Sequence, residues 1–320
     1  MSKPKKTVTV LLAVILLVCG CASIPAQTES RENRQNMDTL SQEFKRLFDQ
    51  GKYRQALPVA RDMTRLAMRD WGSQSTKFAA SLNNLATVYQ RLGHYGVARR
   101  LYQRVLAIYE KELGPEHPQL AQTLNNLAGV YYRLRRYNEA ERLLKRALAI
   151  KEKYYGRDHP EVASALGNLA NVYSDLDRYD SAERLYQRAL AIDEKHFGRD
   201  HPEVATDLNN LAGIYNDQGR YADAERLYRR ALAIKENHYG KDHPAVADTL
   251  NNLGVVCEKR KRYHEAVRLF QRARAIYEKE LGPRHPHLIR TLNNLAGVYE
   301  KLGRKQEAAR LRKLAATGQE

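Results

Sequence analysis

The chain has 320 residues, a formal net charge of +17, and 20 tyrosines beside only 5 phenylalanines. Such a charge favours acidic partners, anionic lipid or nucleic acid, but no stacking-aromatic or groove-reading motif accompanies it, so we expect no nucleic acid. No phosphate-cradling glycine loop, metal-ligand spacing or nucleophile–base set is recognisable, so we expect no enzyme, no cofactor and no small-molecule substrate.

The N-terminus has the organisation of an export signal. Met1–Lys6 is short and basic, and Val8–Val18 is a run that is apolar except for Thr9. This run is too short to span a bilayer as a mature helix but has the length of a signal-peptide core. We therefore expect residues 1–20 to be a signal segment.

The junction that ends this segment resembles the bacterial lipobox, with Val18 and Gly20 placed for cleavage before Cys21. The resemblance implies that Cys21 carries the lipid chains of a membrane anchor. It also implies, because Ala22 follows, a location at the outer membrane facing the periplasm. Cys19 departs from the residue type usual at its site, so an ordinary cleaved signal peptide and an uncleaved anchor remain open.

Beyond the junction, residues 21–36 are polar and are predicted to form a flexible tether. From residue 37 the chain repeats every 42 residues without insertion or deletion. A fixed period of this length indicates a stack of identical supersecondary units. The repeated motif, Leu-Asn-Asn-Leu-Ala or a close variant, begins at Leu82, Leu124, Leu166, Leu208, Leu250 and Leu292.

Each repeat is predicted to contain two amphipathic helices. Apolar residues recur at helical spacing over Leu120–Tyr131 and again over Ala140–Ile150. Glycines such as Gly93 in other repeats suit the turn between the two helices. Gly156 ends the second helix, and His159-Pro160 then opens the next repeat with proline at the first helical position.

Large, small and aromatic residues of this repeat resemble the signature of the tetratricopeptide repeat. The matching positions are Leu124, Leu127, Ala128, Tyr131, Tyr137, Ala140, Leu144, Ala147 and Leu148. The 42-residue period, the Asn-Asn pair and the Gly-x-x-His-Pro joints are similar to the kinesin-light-chain type of this repeat. The resemblance implies an all-α superhelical solenoid of seven helix-turn-helix units over residues 37–316, with a short tail at 317–320.

The two end repeats are atypical. The first has Ser41-Gln42 in place of the Asn-Asn pair, and the last has Lys305 where the others have tyrosine. Altered end units are expected in a solenoid because one of their faces meets water.

The first helix of each repeat presents a polar face opposite its core stripe, at Gln122, Asn126, Gly129 and Arg133 in the repeat described above. In the family that the chain resembles, this face lines a concave groove. Two asparagine positions recur along it. The first set is Asn84, Asn126, Asn168, Asn210, Asn252 and Asn294, and the second is Asn83, Asn125, Asn209, Asn251 and Asn293.

A carboxamide offers donors and an acceptor together, so it can hold the backbone of an extended peptide without reading its sequence. Asparagine also costs about half a kcal/mol of helix propensity against alanine, so something must offset that cost in every repeat. The resemblance implies contact with peptide backbone. A bond to the neighbouring helix that fixes repeat stacking, and recent duplication, are the alternatives; against duplication, the groove site at Gly129 has diverged, for example to Asn171 and Val255.

Specificity is then expected from the variable groove charges. These are Arg91 and Arg133 at the N-terminal end, Asp175 and Asp217 in the middle, and Lys259 and Lys301 near the C-terminus. The pattern predicts alternating electrostatic pockets but names no ligand.

The histidines and the remaining cysteine are predicted to be structural. One histidine precedes proline at each joint, which gives no tetrahedral metal cluster, so a helix-start role is expected. Cys257 replaces a tyrosine of the other repeats and is expected to be a buried apolar substitute. The five histidines are His117, His159, His201, His243 and His285.

The sequence therefore predicts a lipid-anchored scaffold that binds an extended segment of a partner protein in its groove, in the assembly or tethering of an envelope complex. The repeated basic residues of the second helix, as in Lys145-Arg146, are expected to be a solvated face. The alternative is a structural or regulatory subunit that uses this basic convex face to bind anionic lipid or polymer.

Overall fold

A computed structural model describes residues 31–317, with side chains from residue 35. The predicted signal segment, Cys21 and residues 318–320 lie outside the described residues. Between residues 31 and 317 the chain forms fourteen α-helices and no strand, which confirms the all-α prediction. The chain divides between His94 and Tyr95 into two compact units.

The first unit contains three helices, of which the second packs against the other two. Small residues, Ala56, Ala60 and Ala67, are fully buried on that central helix. The helices are α1 (Arg31–Asp49), α2 (Tyr53–Trp71) and α3 (Thr76–Arg91). Helix α1 begins inside the segment predicted as tether, because its polar residues, arginine, glutamate and glutamine, are also good helix formers.

The second unit begins with the second helix of one repeat and continues through five complete pairs. Each helix packs against the next one along the chain. The helices are α4 (Tyr95–Leu113), α5 (Pro118–Arg133), α6 (Tyr137–Tyr155), α7 (Pro160–Asp175), α8 (Tyr179–Phe197), α9 (Pro202–Asp217), α10 (Tyr221–Tyr239), α11 (Pro244–Lys259), α12 (Tyr263–Glu280), α13 (Pro286–Lys301) and α14 (Lys305–Thr317).

The geometry repeats as regularly as the sequence. The first helices α5, α7, α9, α11 and α13 each have 16 residues and begin with proline. The motif leucines on these helices are buried, as are the small residues where two helices approach, such as Ala128 and Ala140. The predicted solenoid of paired helices with a period of about 42 residues is confirmed.

The turn inside each repeat uses the left-handed backbone conformation. Arg135, Asp177 and Lys261 have φ of 57°, 56° and 61°, at the position where other repeats have Gly93, Gly219 and Gly303. In the first of these turns, the Arg136 N–H donates to Tyr131 O at 2.9 Å, which is the six-to-one bond of a Schellman motif. Three repeats therefore accept a conformation that costs roughly 1–2 kcal/mol for a residue with a side chain.

The predicted helix-start role of the five histidines is confirmed. Each histidine precedes the first helical residue, and its Nδ1 accepts the backbone N–H two residues later at 3.1–3.2 Å. This is the capping function that serine and asparagine more often perform. Ser75 caps α3 by accepting the N–H three residues later, that of Phe78.

An arginine clamp joins each of the second helices α6, α8, α10 and α12 to the preceding repeat. Arg188 lies 2.6 Å from Glu152 and donates to the carbonyl of Arg157 at 3.0 Å. The same two contacts recur at the matching positions, Arg146, Arg188, Arg230 and Arg272. Of the residues expected to form a solvated face, Lys145 is exposed, whereas Arg146 is half-buried because the preceding repeat places a carboxylate and a carbonyl within its reach. Of the helices between residues 31 and 317, none combines the length and apolar character of a membrane span.

Candidate functional site

The polar face of the first helices, here called the groove face, is formed in the second unit by positions 122, 126, 129 and 133 and their equivalents. First helices of neighbouring repeats lie side by side, since α9 contacts α11 and α11 contacts α13. The asparagines of the groove face are half-buried at Asn126, Asn168 and Asn210. They therefore form a continuous row of amides that is partly open to solvent.

At two joints, asparagines of neighbouring repeats hydrogen-bond to each other. Asn168 Nδ2 donates to Asn125 Oδ1 at 2.8 Å, and Asn294 Nδ2 donates to Asn251 Oδ1 at 3.2 Å. Each bond joins the second asparagine of one repeat to the first asparagine of the repeat before it. At these joints the geometry is that of the stacking alternative.

The α11–α13 joint is the most tightly bonded of these. Asn251 is buried, and its Oδ1 also accepts the Thr291 hydroxyl at 3.1 Å. At α5 the pattern differs, since Asn126 Oδ1 accepts the amide of Gln122 on its own helix at 3.1 Å.

Other asparagines keep hydrogen-bonding capacity. The Oδ1 of Asn209 is buried without a hydrogen-bond partner among the described residues. Asn210 lines the cavity between α7 and α9. In the first unit, Asn84 lines a separate cavity of about 490 Å³ beside Trp71 and Lys77. A row that mixes bonded and unbonded amides can both fix stacking and offer contacts to a ligand.

The predicted groove charges differ in how far their neighbours neutralise them. Arg91 stacks over Phe48 with 5.9 Å between guanidinium and ring centroid. Lys301 lies 2.5 Å from Glu258 of the preceding repeat, and Glu300 is paired with Arg312 at 2.9 Å. Lys301 and Glu300 are therefore paired within the protein, while Arg133 and Lys259 are exposed.

The acidic middle of the groove face is less compensated. Burial raises the pKa of Asp217, and Asp175 contributes to the same shift by its negative charge. Burial and a hydrogen bond to Asp175 raise the pKa of Tyr132 to about 12. Negative charge therefore accumulates in the middle of a chain that is basic overall.

The structure adds two acidic residues that sequence reasoning missed. Asp193, near the end of α8, and Asp207, on α9, are buried together at one repeat joint. Burial, followed by repulsion from Asp193, raises the pKa of Asp207 to about 8. A signal was present in the sequence, because the position of Asp207 is serine, threonine or alanine in the other repeats.

This acidic pair lines a cavity of the groove face. The cavity, of about 530 Å³, lies between the groove faces of α7 and α9 and reaches the end of α8. Asn168 and Asn210 line it from above the pair, and Phe197 and His196 form part of its wall. The predicted asparagines and the unpredicted carboxylates thus belong to one site.

Cys257 has the environment predicted for it. The side chain is fully buried, and burial raises the pKa of its thiol. Arg262 donates to its sulfur at 3.4 Å, whereas the matching arginines of other repeats stack on tyrosine, as Arg220 does on Tyr215 at 4.0 Å. Within residues 31–317, no group of three histidine, cysteine or carboxylate side chains could hold a metal ion.

A family model of the tetratricopeptide repeat matches residues 77–153, 120–195, 162–237, 203–279 and 245–317. These matches cover most of the chain, so the protein belongs to the tetratricopeptide repeat family. Such repeats commonly mediate protein–protein interaction, and proteins built from them are generally non-enzymatic scaffolds.

Solved structures of the kinesin-light-chain type are similar to this chain. BtubC (BKLC) from P. vanneervenii is 26% identical with a TM-score of 0.59, covering 80% of this chain and 95% of its own. A Podospora anserina kinesin light chain with nearly identical TPR-like repeats is 27% identical with a TM-score of 0.55, covering 64% and 97%. Pseudomonas aeruginosa PilF, at 20% identity and a TM-score of 0.54 over 79% of this chain and 96% of its own, shows the fold alone. No curated protein sequence matches the chain.

Proposed function

We propose that the protein is a scaffold that holds an extended segment of a partner protein along its groove face. The observation that carries this proposal is the row of half-buried asparagines, some of which have no bond to a neighbouring repeat. An amide left open beside a cavity can donate to and accept from peptide backbone without regard to side chains. Repeats stacked at a fixed spacing offer such contacts at regular intervals along an extended chain.

A second cavity on the groove face supports the same function. It has about 290 Å³ and is lined by Asn125, Gly129, Tyr132 and Asn168. Beside it, Asn171 accepts the hydroxyl of Tyr186 at 2.6 Å. The apolar and polar residues that line this cavity together suit a side chain of a bound segment.

Photo-crosslinking tests the groove directly. A photoreactive amino acid at Ser164 or Thr206, both exposed on the groove face, should capture a partner in cells. The same residue at Ala149 or Ala191, exposed on second helices, is the matched control and should capture none. Crosslinks from the second-helix positions alone would contradict the proposal.

Asparagine variants separate binding from stacking. Asn210→Ala with Asn252→Ala, at asparagines that bond no neighbouring repeat among the described residues, should reduce crosslinking from Thr206 and leave the melting temperature unchanged. Asn168→Ala with Asn294→Ala should also lower stability, by about 1 kcal/mol for each lost bond. Equal loss of stability in both variants, with capture intact, would assign the whole row to stacking.

We further propose that Cys21 anchors this scaffold by lipid to the outer membrane, in keeping with a role in envelope complex assembly or tethering. The lipobox-like junction supports this step, and a multi-chain anchor would be stable. Metabolic labelling with a palmitate analogue should mark the wild-type chain and not Cys21→Ser. Labelling that persists in Cys21→Ser would remove the anchor from the proposal.

A further inference from the structure

The joint between α8 and α9 is exceptional among the repeat joints. At two joints a residue near the end of a second helix faces the residue fourteen positions later on the next first helix. At the α10–α11 joint these residues are Lys235 and Thr249, and the lysine donates to the hydroxyl at 3.0 Å. At the α8–α9 joint both are aspartates, Asp193 and Asp207.

Neither aspartate is explained by packing. Asp193 is 7% exposed and Asp207 is 9% exposed. Asp193 Oδ1 and Asp207 Oδ2 have no hydrogen-bond partner among the described residues. A buried, unpartnered polar group costs about 1–3 kcal/mol, and more when it is charged, so this joint loses stability that the neighbouring joint keeps.

The remaining walls of the cavity suit a long cationic side chain. Phe197 is 39% exposed and stacks on His201 with ring centroids 4.6 Å apart. His196 packs edge-on against Phe197, with ring centroids 4.7 Å apart. An aromatic wall beside carboxylates favours the methylene stem and planar head of an arginine, which stacks on rings and binds carboxylates through two N–H groups.

We propose that the cavity between α7 and α9 is a specificity pocket for a basic side chain, arginine above all, of the segment bound in the groove, with Asp193 and Asp207 as its carboxylate partners. This inference rests on the proposed function, because the segment is the one held by the asparagine row. The same cavity is lined by Asn168 and Asn210, so backbone and side chain of one segment are within its reach.

The carboxyl pair of Asp193 and Asp207 holds a proton, and a bound cation displaces that proton. Without a ligand, burial raises the pKa of both carboxyls, and repulsion from Asp193 raises that of Asp207 further, whereas a hydrogen bond with Asp207 opposes the rise at Asp193. Glu203 adds negative charge, whereas His196 and His201 favour ionisation of Asp193; His159 also lines the cavity. Because a guanidinium favours the doubly ionised pair, binding releases a proton and should tighten as pH rises from 6 to 9.

A peptide array tests this pocket with the full chain. Octapeptides that contain one arginine should bind at least about tenfold more tightly than the same peptides with citrulline, which is neutral but of the same shape. Asp207→Thr, the residue found at Thr249 and Thr291 in other repeats, should remove the preference for arginine, so that the variant binds both peptides alike. An unchanged preference in Asp207→Thr, or equal binding of both peptides by the wild-type chain, overturns the pocket while leaving groove binding in place.

Titration with a single blocked amino acid distinguishes binding in the pocket from binding along the groove. N-acetyl-arginine amide, titrated at millimolar concentration, should move the carboxyl carbon resonances of Asp193 and Asp207 in the full chain, and N-acetyl-citrulline amide should not. If no peptide binds but this titration succeeds, the proposed groove function fails and the pocket stands. If the resonances do not move with N-acetyl-arginine amide, the pocket is refuted even when peptides bind elsewhere.

Discussion

Two joints of the same solenoid, α8–α9 and α10–α11, have the same backbone register and opposite electrostatics. In the α10–α11 joint Lys235 donates a hydrogen bond to the Thr249 hydroxyl, and burial lowers the pKa of the lysine ammonium group. In the α8–α9 joint two carboxyls face each other, and their pKa values rise. Both joints carry the same arginine clamp on their outer side, through Arg272 and Arg230.

The difference between the two joints shows which repeat positions stabilise the stacking of repeats and which can vary for function. Clamps, histidine caps and core leucines recur because every joint has the same geometry to satisfy. A position that is lysine, tyrosine or aspartate from joint to joint is under no such requirement. Where it takes the residue that costs stability, a functional reason is the simplest explanation.

The largest effect is expected from building a second acidic pair. Lys235→Asp with Thr249→Asp should lower the free energy of unfolding by about 3 kcal/mol at pH 8, because two carboxylates are then buried without a cation. Chemical denaturation measures the loss. Thr249→Asp alone is the control and should be tolerated, because Lys235 neutralises the new carboxylate; a harmless double variant would show that the joint readily accepts paired acids.

Removing one carboxyl from the acidic pair of the α8–α9 joint should stabilise the chain in a pH-dependent way. The pKa of Asp207 is about 8 in the folded protein and its ordinary value is 3.8. The folded state therefore keeps a proton that the unfolded state releases, and wild-type stability falls as pH rises between these values. Asp207→Thr removes this loss and gives the neighbouring Asp193 a hydroxyl donor.

We therefore expect Asp207→Thr to match the wild type near pH 4 and to exceed it by about 2 kcal/mol at pH 8. Thermal melts across this range provide the measurement. Glu225, whose pKa is lowered to about 2 by hydrogen bonds from Arg262 and Arg229 against the opposing effect of burial, gives the opposite slope. The contribution of Glu225 is lost below pH 4.5 in the wild type and the variant alike, so it cancels from their difference. A gain for Asp207→Thr that is the same at pH 4 and pH 8 would contradict the shifted pair.

The fold was predictable from sequence because its causes are local. Helical spacing of leucine and alanine, glycine at turns and His-Pro at helix starts each act within one repeat. The same repeat then stacks on itself, so a correct reading of one unit extends to all. The helical start at Arg31 was missed because polar composition alone does not distinguish a tether from a solvated helix.

The site was less predictable because it depends on contacts between repeats. The asparagine row was visible as a pattern, but whether Asn168 points at Asn125 or at a ligand depends on how far each repeat is rotated from the last. Asp193 and Asp207 lie on different helices and meet only after packing. Comparison of each position across the repeats would have found Asp207, which is an acid where the other repeats have serine, threonine or alanine, but not Asp193, whose position varies from repeat to repeat.

A smaller effect is expected from the clamps, which the two joints share. Arg230→Ala and Arg272→Ala should each lower stability by about 1–2 kcal/mol, because each loses a carboxylate contact and a carbonyl contact at a half-exposed site. Denaturant titration of both variants measures the losses. Similar values would show that the joints differ only in their cores, whereas a much larger loss at Arg230 would mean that the clamp offsets the acidic pair.

The smallest effect concerns the turns, where the repeats differ without functional consequence. Lys261 occupies a left-handed position with φ of 61°, and Gly219 occupies the same position one repeat earlier with φ of 78°. Lys261→Gly should stabilise the chain by about 0.5–1 kcal/mol, since relief of the left-handed strain exceeds the entropy that glycine adds to the unfolded state. Gly219→Ala should destabilise it by a similar amount, although nothing lies within 4 Å of the added Cβ.

Because neither turn touches the acidic pocket, both variants should keep the arginine preference of the wild type in the peptide array. A change in that preference would mean that the pocket depends on the rotation between repeats and not on Asp193 and Asp207 alone.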